Sequence, residues 1–363
     1  MIRGVSRIGS TAAVAMLLLV AVSLDAAGIS FGSPARASEV FVDSLGRRVE
    51  APAVVERIIS LEPEVTRIIV ALGEGRRLVG LDFFLSHHDI LFPLVFPEGQ
   101  KLPVVSNQGQ DLNYELALAL KPDIIFSSPS ESGMTESIER KLRPPVAALA
   151  SMGRLESLAD EIELLGRILG RPDRARRLAT EFRTTIAELW QAEGALPTRR
   201  KPRVYLAFWG SLLRTPVSYE PVDAAGGTNC ASGLLPGGPG AAGTTVSLEQ
   251  IIRWDPDMIL VQGNYRPGER AVTVEGVLAD RRLSSLKAVR SKHVFYTFGF
   301  WYWWDPALVL VEMRYLARLF HPEDLPAFDL VKDGNAVFKE FYGVDGAFGA
   351  LADVLGCREW AHE

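Results

Sequence analysis

The sequence has little cysteine and little histidine, and several common catalytic motifs do not occur in it. Its 363 residues include 2 cysteines and 5 histidines, with no CxxC pair, HExxH sequence or P-loop. These absences leave no recognisable cysteine-ligated metal site, zinc protease site or phosphate-binding loop. No run of five basic residues occurs and the formal net charge is −5, so nucleic acid is not an expected partner. We predict a protein that is not an enzyme and that has no metal or cofactor of its own.

The N-terminus has the pattern of a secretory signal peptide. Arg3 and Arg7 precede an apolar run at 11–24, and Ala-Arg-Ala at 35–37 supplies small residues for cleavage. The run is 14 residues long and stops at Asp25, whereas a membrane span needs about 20 apolar residues. We predict a signal peptide over 1–37 and a mature start at Ser38. Because no cysteine follows the run, we expect a free periplasmic protein without a lipid anchor.

The two cysteines leave two alternatives open. Cys230 and Cys357 both lie in the portion that export would expose to oxidising conditions, where disulfides form and persist. A single disulfide between them is one possibility, and two unrelated buried thiols are the other. Nothing in the sequence fixes the distance between the two cysteines, which decides whether they can pair.

Hydrophobic patterning indicates two α/β halves. A length of 363 residues predicts roughly two domains. Short apolar runs alternate with helical patterns in both halves, which favours parallel sheets. From 155 to 190 the pattern is helical throughout and is interrupted at Gly170-Arg171-Pro172. We therefore predict an N-terminal α/β lobe over 38–170, a linker helix over 171–194, and a C-terminal α/β lobe with a helical extension over 195–363.

An internal repeat relates the two halves. Residues 113–127 align without gaps on 247–261, at an offset of 134. Each copy reads as a capping residue, a short amphipathic helix, a Pro-Asp turn and a buried strand. Glu115 and Glu249 occupy equivalent positions in the first helical turn. On this pattern alone, the simplest explanation of both glutamates is a favourable interaction with the helix dipole.

Several motifs in this order resemble the metal-chelate binding proteins of ABC importers, which serve ferric siderophore, cobalamin and haem uptake. The matching segments are the signal peptide, 41–49, 57–66, both repeat copies, 226–229 and 286–290. The resemblance implies two Rossmann-like lobes with parallel sheets joined by a long backbone helix. It also implies that Glu115 and Glu249 form salt bridges with arginines of the membrane permease. Arg67 departs from the pattern, since the family usually has an acid there.

Aromatic and polar side chains follow the predicted strands of both halves. A ligand between two such lobes lies at the carboxyl ends of the strands and is held by aromatic faces with a few polar anchors. Residues 300–304 are all aromatic, and we expect two or three of them to line the cleft while others fill the core. The candidate ligand-binding residues are Trp209, Arg214, Tyr265, Arg266, Trp301, Tyr302, Trp303 and Trp304, with Phe84, His87, His88 and Gln108 in the first half.

Some of these candidates have alternative interpretations. Trp209 could be a structural residue at the end of its strand. Adjacent histidines point in different directions on regular structure, so one of His87 and His88 at most could bind an axial position of haem or of a metal complex. Arg214 or Arg266 would suit an anionic chelate or a propionate.

The sequence therefore predicts a monomeric binding protein that captures a metal chelate and delivers it to an ABC permease. A ferric siderophore is the first choice because it is the commonest ligand of the family, and cobalamin, haem or a nickel complex are alternatives in the same role. The alternative from another class is a periplasmic metal-dependent enzyme that uses His87 or His88 with Asp82.

Overall fold

The first half of the chain builds an antiparallel hairpin and a four-stranded parallel sheet. The computed structural model describes residues 37–107, 111–195, 201–237, 243–298, 304–323 and 328–356, and the elements below lie in one unit that begins at Ser38. The strands of this half are β1 (Glu39–Val42), β2 (Arg48–Ala51), β3 (Ile58–Ser60), β4 (Leu78–Leu81), β5 (Ile124–Ser127) and β6 (Val146–Ala148). The hairpin joins β1 to β2, and the parallel sheet has the order β4-β3-β5-β6.

The second half repeats this architecture. Its strands are β7 (Arg203–Ala207), β8 (Arg214–Pro216), β9 (Thr228–Asn229), β10 (Gly243–Thr245), β11 (Met258–Gln262) and β12 (Val294–Thr297). A parallel sheet has the order β12-β11-β7-β9, and β8 pairs antiparallel with β10. The central strands β3, β5 and β11 are buried along their whole length. That burial explains why they are continuous apolar runs rather than alternating ones.

Helices connect the strands and cover the sheets. Those of the first half are α1 (Pro63–Ala71), α2 (Phe83–His87), α3 (Phe92–Val95), α4 (Tyr114–Ala119), α5 (Ser132–Lys141) and α6 (Leu155–Leu169). They are followed by α7 (Pro172–Ala195), α8 (Glu220–Ala224), α9 (Leu248–Trp254), α10 (Val274–Ala279), α11 (Lys287–Arg290), α12 (Pro306–Phe320), α13 (Leu330–Tyr342) and α14 (Ala347–Leu355). Of the described helices, none is long and apolar enough to cross a bilayer.

The long helix α7 runs between the two sheets in the sequence and packs against α6. Gly170 ends α6 in the left-handed conformation, at φ 74°, and Pro172 starts α7 at the helical position that tolerates proline. A Cβ on Gly166 would lie 2.1 Å from the Cβ of Ala175, so the two helices approach closely at this glycine. The predicted fold class, two Rossmann-like lobes with parallel sheets joined by a long helix, is confirmed, while the domain boundaries at 170 and 194 stay predictions.

One short apolar run does not form a strand of the parallel sheet. The run at 103–105 makes only an isolated bridge between Val104 and Leu81. The residues that directly follow β4 form the short helix α2. Asp82 caps that helix by accepting a hydrogen bond from the Leu85 N–H at 2.8 Å.

Candidate functional site

A cavity of about 320 Å³ with several polar side chains in its wall lies at the carboxyl edge of the first sheet. Leu61, Asp82 and Ser128 directly follow β3, β4 and β5 and contribute to its wall. This edge is where open parallel sheets bind ligands. We call this space the first-sheet cavity, and its polar wall is made by Glu62, Asp82, Ser106, Asn107, Ser128 and Ser130.

Two carboxyl groups of the first-sheet cavity are buried, and each has one oxygen without a partner. Glu62 is 1% exposed and Asp82 is 6% exposed. Neither Glu62 Oε2 nor Asp82 Oδ2 has a hydrogen-bond partner among the described residues. Burial, reinforced by the nearby charge of Glu64, raises the pKa of Glu62 well above its usual range. Burial also raises the pKa of Asp82 to about 6.

The raised pKa of Asp82 makes the stability of the protein depend on pH, and the substitution Asp82→Asn removes this contribution. Between pH 3.8, the usual pKa, and about 6, the folded state holds a proton that the unfolded chain has lost. The stabilising contribution of this proton is complete below the lower pKa and is lost as the pH rises through the higher one. Asparagine keeps an oxygen to cap α2 and does not titrate. Urea unfolding of both proteins is measured from pH 4 to pH 7. Over this range we expect the difference between their free energies of unfolding to change by about 2 kcal/mol in favour of the variant, and parallel stability curves would contradict this.

A second cavity of about 250 Å³ is lined from both halves of the chain. Phe84 and His88 contribute from the first half, and Tyr265, Phe298 and Trp304 contribute from the second. We call it the inter-sheet cavity. Phe84 and His88 line both cavities, so the two spaces adjoin. Aromatic and aliphatic side chains dominate its wall, which suits contact with the organic part of a ligand.

Charged groups at the inter-sheet cavity are paired with one another. Arg67 forms an ion pair with Asp89, and both side chains are buried. Burial alone would lower the pKa of Arg67, but attraction to Asp89 and Asp305 raises it. Asp305 caps α12 by accepting hydrogen bonds from the N–H groups of Ala307 and Leu308, each at 2.9 Å, and it also accepts one from the Tyr342 hydroxyl. The structure therefore shows Asp305 as the cap of α12.

A buried glutamate joins the two halves near this cavity. Glu64 accepts hydrogen bonds from the Ser151 N–H at 2.6 Å and the Ser151 hydroxyl at 2.9 Å. Its Oε2 also accepts a bond from the Trp304 N–H at 3.1 Å. Burial raises the pKa of Glu64, and these bonds oppose the increase. The carboxyl group thereby ties the first turn of α1 to the segment that enters α12.

Four of the predicted ligand-binding residues line the inter-sheet cavity: Phe84, His88, Tyr265 and Trp304. Trp304 is 1% exposed and its ring packs edge-on against Tyr219, so it serves the core as well as the cavity wall. Its indole Nε1–H has no acceptor among the described residues. The ligand-binding role of these four residues stays a prediction.

The other described candidates lie outside both cavity walls: His87, Trp209, Arg214 and Arg266. Trp209 adopts a left-handed φ of 55° and donates its N–H to Gln262 Oε1 at 2.6 Å, while Arg214 stacks over its ring at 5.2 Å. The His87 ring stacks on Phe83. Arg266 is 3.9 Å from Glu269, which lines the inter-sheet cavity. A ligand contact by any of the four stays a prediction.

Several predictions fall on residues that the structure does not describe. Gln108, Trp301, Tyr302, Trp303, Cys357 and almost all of the predicted signal peptide lie outside the described residues. Cys230 is partly buried, and burial raises the pKa of its thiol to about 11. A disulfide between Cys230 and Cys357 stays a prediction.

The sequence interpretation overlooked Arg67 and Asp89, and assigned no binding role to Glu62. Arg67 was noted only as a departure from the family pattern, yet it lines the inter-sheet cavity. For Glu62, the signal in the sequence was its position immediately after a predicted strand. An acidic residue at the carboxyl end of a buried parallel strand is a candidate for ligand contact.

The two glutamates of the repeat lie on equivalent helices. Asn113 caps α4 by accepting from the Leu116 N–H at 3.0 Å, and Ser247 caps α9 by accepting from the Gln250 N–H at 3.2 Å. Glu115 and Glu249 are both exposed in the first turns of these helices. Hydrogen bonds from its own backbone N–H and from the Ser247 hydroxyl lower the pKa of Glu249. Since each helix runs back into the next strand, β5 or β11, its first turn lies at the carboxyl edge of its sheet.

The alternative of a metal-dependent enzyme finds no metal site in the described part of the chain. No group of three or more His, Cys, Asp or Glu side chains there could hold a metal ion. Asp82 uses one oxygen to cap α2, and His87 Nδ1 lies 3.1 Å from the Phe83 carbonyl. His87 and one oxygen of Asp82 are thus used in local structure, whereas His88 lines both cavities.

Known proteins are similar to this chain in sequence over most of its length. The molybdate-binding protein MolA of Haemophilus influenzae is 26% identical over 86% of this chain and 93% of its own length. The vitamin B12-binding protein of Vibrio parahaemolyticus is 26% identical over 66% of this chain and 80% of its own. The family of periplasmic binding proteins matches residues 58–298.

Solved structures share the fold. MolA bound to molybdate superposes with a TM-score of 0.70 at 23% identity, covering 85% of this chain and 98% of MolA. CeuE of Helicobacter pylori with Ni(II) bound gives a TM-score of 0.68 at 14% identity, covering 86% of this chain and 99% of CeuE. The chain therefore belongs to the periplasmic binding protein family, a family of substrate-binding components of ABC transporters and not of enzymes, as its motifs predicted.

Proposed function

We propose that this protein captures a metal chelate, with a ferric siderophore as the first choice, and delivers it to a membrane permease. The observation that carries the proposal is the inter-sheet cavity, which aromatic side chains line from both halves of the chain. Phe84 faces it from the first half, and Tyr265 and Trp304 from the second. Because such a ligand contacts both halves, a partner that also contacts both halves can distinguish the ligand-bound protein from the empty one.

The chemistry of the cavity wall supports a complex with an organic shell. Rings and aliphatic groups such as Phe84, Tyr265, Phe298 and Leu308 can pack against that shell. Arg67 and Asp89 are already paired with each other, so they add polar contacts with little net charge. Cobalamin, haem or a nickel complex would use the same wall and are the alternatives.

Residues next to the described wall extend this proposal. Trp301, Tyr302 and Trp303 lie in the sequence between Phe298 and Trp304, both of which line the inter-sheet cavity. We propose that some of these three rings, with Gln108, add to the ligand contacts. We also propose that a bound ligand contacts four residues outside the two cavity walls: Trp209, Arg214, Arg266 and His87.

Docking to the permease is proposed through Glu115 and Glu249. Each glutamate is exposed in the first turn of its helix, at equivalent positions of the repeat. Three residues further along each helix, Leu118 is 52% exposed and Ile252 is 38% exposed, again at equivalent positions of the repeat. A carboxylate beside an exposed aliphatic side chain suits a partner surface with basic residues around an apolar patch.

We further propose export by the signal peptide over 1–37, which leaves a free monomer in the periplasm. The lobes would be 38–170 and 195–363, with 171–194 as the stiff connection between them. A helix of that kind allows small changes in the distance between the lobes without large domain closure.

The proposal is tested by uptake in cells. A host strain that lacks this gene is given either the wild-type gene or an empty vector, and accumulation of labelled ferric siderophore, cobalamin, haem, nickel and molybdate is measured. We expect one metal complex to be accumulated only with the wild-type gene. Equal accumulation of every compound by both strains would contradict the transport role, and restored molybdate uptake alone would replace the chelate by an oxyanion.

A further inference from the structure

The first-sheet cavity contains hydrogen-bond acceptors that the folded chain does not use. Glu62 Oε2 and Asp82 Oδ2 are buried, lack hydrogen-bond partners among the described residues, and belong to residues that line the same space of about 320 Å³. A buried polar atom without a partner costs free energy. Two such atoms in one cavity can accept hydrogen bonds from a bound group.

Local structure does not account for these two oxygens. The cap of α2 uses only Oδ1 of Asp82, and the contact of Glu62 with the Glu64 N–H uses Oε1. The hydroxyls of Ser128 and Ser130 lie 2.8 Å apart, so one of them donates to the other, and a hydrogen bond from Ser128 opposes the rise in the pKa of Glu62. By distance, Oδ2 of Asp82 and Oε2 of Glu62 have no hydrogen-bond partner among the described residues and can accept from a ligand.

The nature of the missing donor follows from the charge of the site. A metal ion bound directly by the chain is disfavoured, since no group of three or more suitable ligands occurs among the described residues. A carboxylate, catecholate or oxyanion would bring a further negative charge beside the buried carboxyl group of Asp82, which is unfavourable. Amide N–H and ammonium groups have the donors that carboxyl oxygens accept and add no negative charge.

We infer that the first-sheet cavity binds an amide or ammonium group on the organic shell of the metal complex, with Asp82 and Glu62 as its acceptors. The inference rests on the proposed function and narrows its substrate class to neutral or cationic chelates that have N–H donors. Because Phe84 and His88 line both cavities, one ligand can place its shell against the rings and its N–H group at the acids.

The test compares two groups of metal complexes on the mature chain, residues 38–363. Cyanocobalamin and ferrioxamine B carry amide or ammonium N–H groups, whereas haem and molybdate present carboxylates or oxyanions. Equilibrium dialysis with metal analysis gives the affinity for wild type, Asp82→Asn and Glu62→Gln. The asparagine keeps the α2 cap and turns its amide donor toward the cavity in place of an acceptor. Asp329→Asn is the matched control, because Asp329 caps α13 through the Lys332 N–H and lines neither cavity.

We expect the wild type to bind a complex of the first group, and Asp82→Asn to weaken that binding at least about tenfold. Glu62→Gln is expected to weaken it in the same direction, and Asp329→Asn to leave it unchanged. Binding of haem or molybdate alone would overturn the inference while the transport role stands. The inference also fails if Asp82→Asn and Glu62→Gln bind the first group as tightly as the wild type. Absence of binding to all four complexes would contradict the proposed function itself.

Discussion

Charge reversal at both repeat glutamates, Glu115→Arg with Glu249→Arg, is expected to reduce uptake by about a hundredfold or more and to leave ligand affinity unchanged. Both side chains are exposed on the first turns of equivalent helices, and neither lines a cavity. A permease surface that pairs with two carboxylates would instead meet two guanidinium groups, and like charges in an interface cost several kcal/mol. Uptake of the labelled complex and dialysis of the purified variant measure the two quantities separately.

A charge reversal elsewhere provides the control for this experiment. Glu188 is an exposed residue of the long helix α7, so Glu188→Arg changes the net charge by the same amount per site and is expected to support normal uptake. Loss of ligand affinity in the Glu115 and Glu249 variant would place these residues in the binding site. Normal uptake by that variant would remove them from the docking surface.

Gly166→Leu is expected to lower the free energy of unfolding by about 3 kcal/mol or more. The Cβ of any larger residue at this position would lie 2.1 Å from the Ala175 Cβ and 3.2 Å from the Arg171 carbonyl oxygen. Both neighbours lie at or near the start of α7, so α6 and α7 would have to separate. Chemical unfolding monitored by circular dichroism measures the change.

The matched variant is Gly133→Ala, which adds a side chain to a helix where no other heavy atom lies within 4 Å of the new Cβ. We expect it to be neutral or to stabilise the protein by up to about 1 kcal/mol, because alanine has the higher helix propensity. Equal stability of Gly166→Leu and the wild type would show that the contact between α6 and α7 adapts easily.

Much of the fold was predictable because its signals are local. The repeat at 113–127 and 247–261 gave two caps, two helices and two strands in the right order, since each cap is set by one side chain within three residues of its partner. The start of the helix Pro306–Phe320 is marked in the sequence by Asp305, which caps it, and by the proline that follows. Continuous apolar runs located the central strands of both sheets.

The cavity walls were less predictable because they depend on distant contacts. Arg67 pairs with Asp89, 22 residues away in the sequence, and no local pattern indicates such a pair. The helix Phe83–His87 has five residues, too few for a helical period to show. Glu64 and Trp304 are 240 positions apart, so the link between the two halves arises only when both sheets have formed.

The most direct test of the account is calorimetric titration of the mature chain with metal complexes and with the corresponding free metal ions. We expect saturable binding of one complex per chain at micromolar concentration or below, and no comparable binding of the free ion, because the inter-sheet cavity is lined for an organic shell. Tight binding of a free metal ion without its chelator, or no saturable binding of any complex by the folded chain, would contradict the proposal that this protein is a metal-chelate receptor.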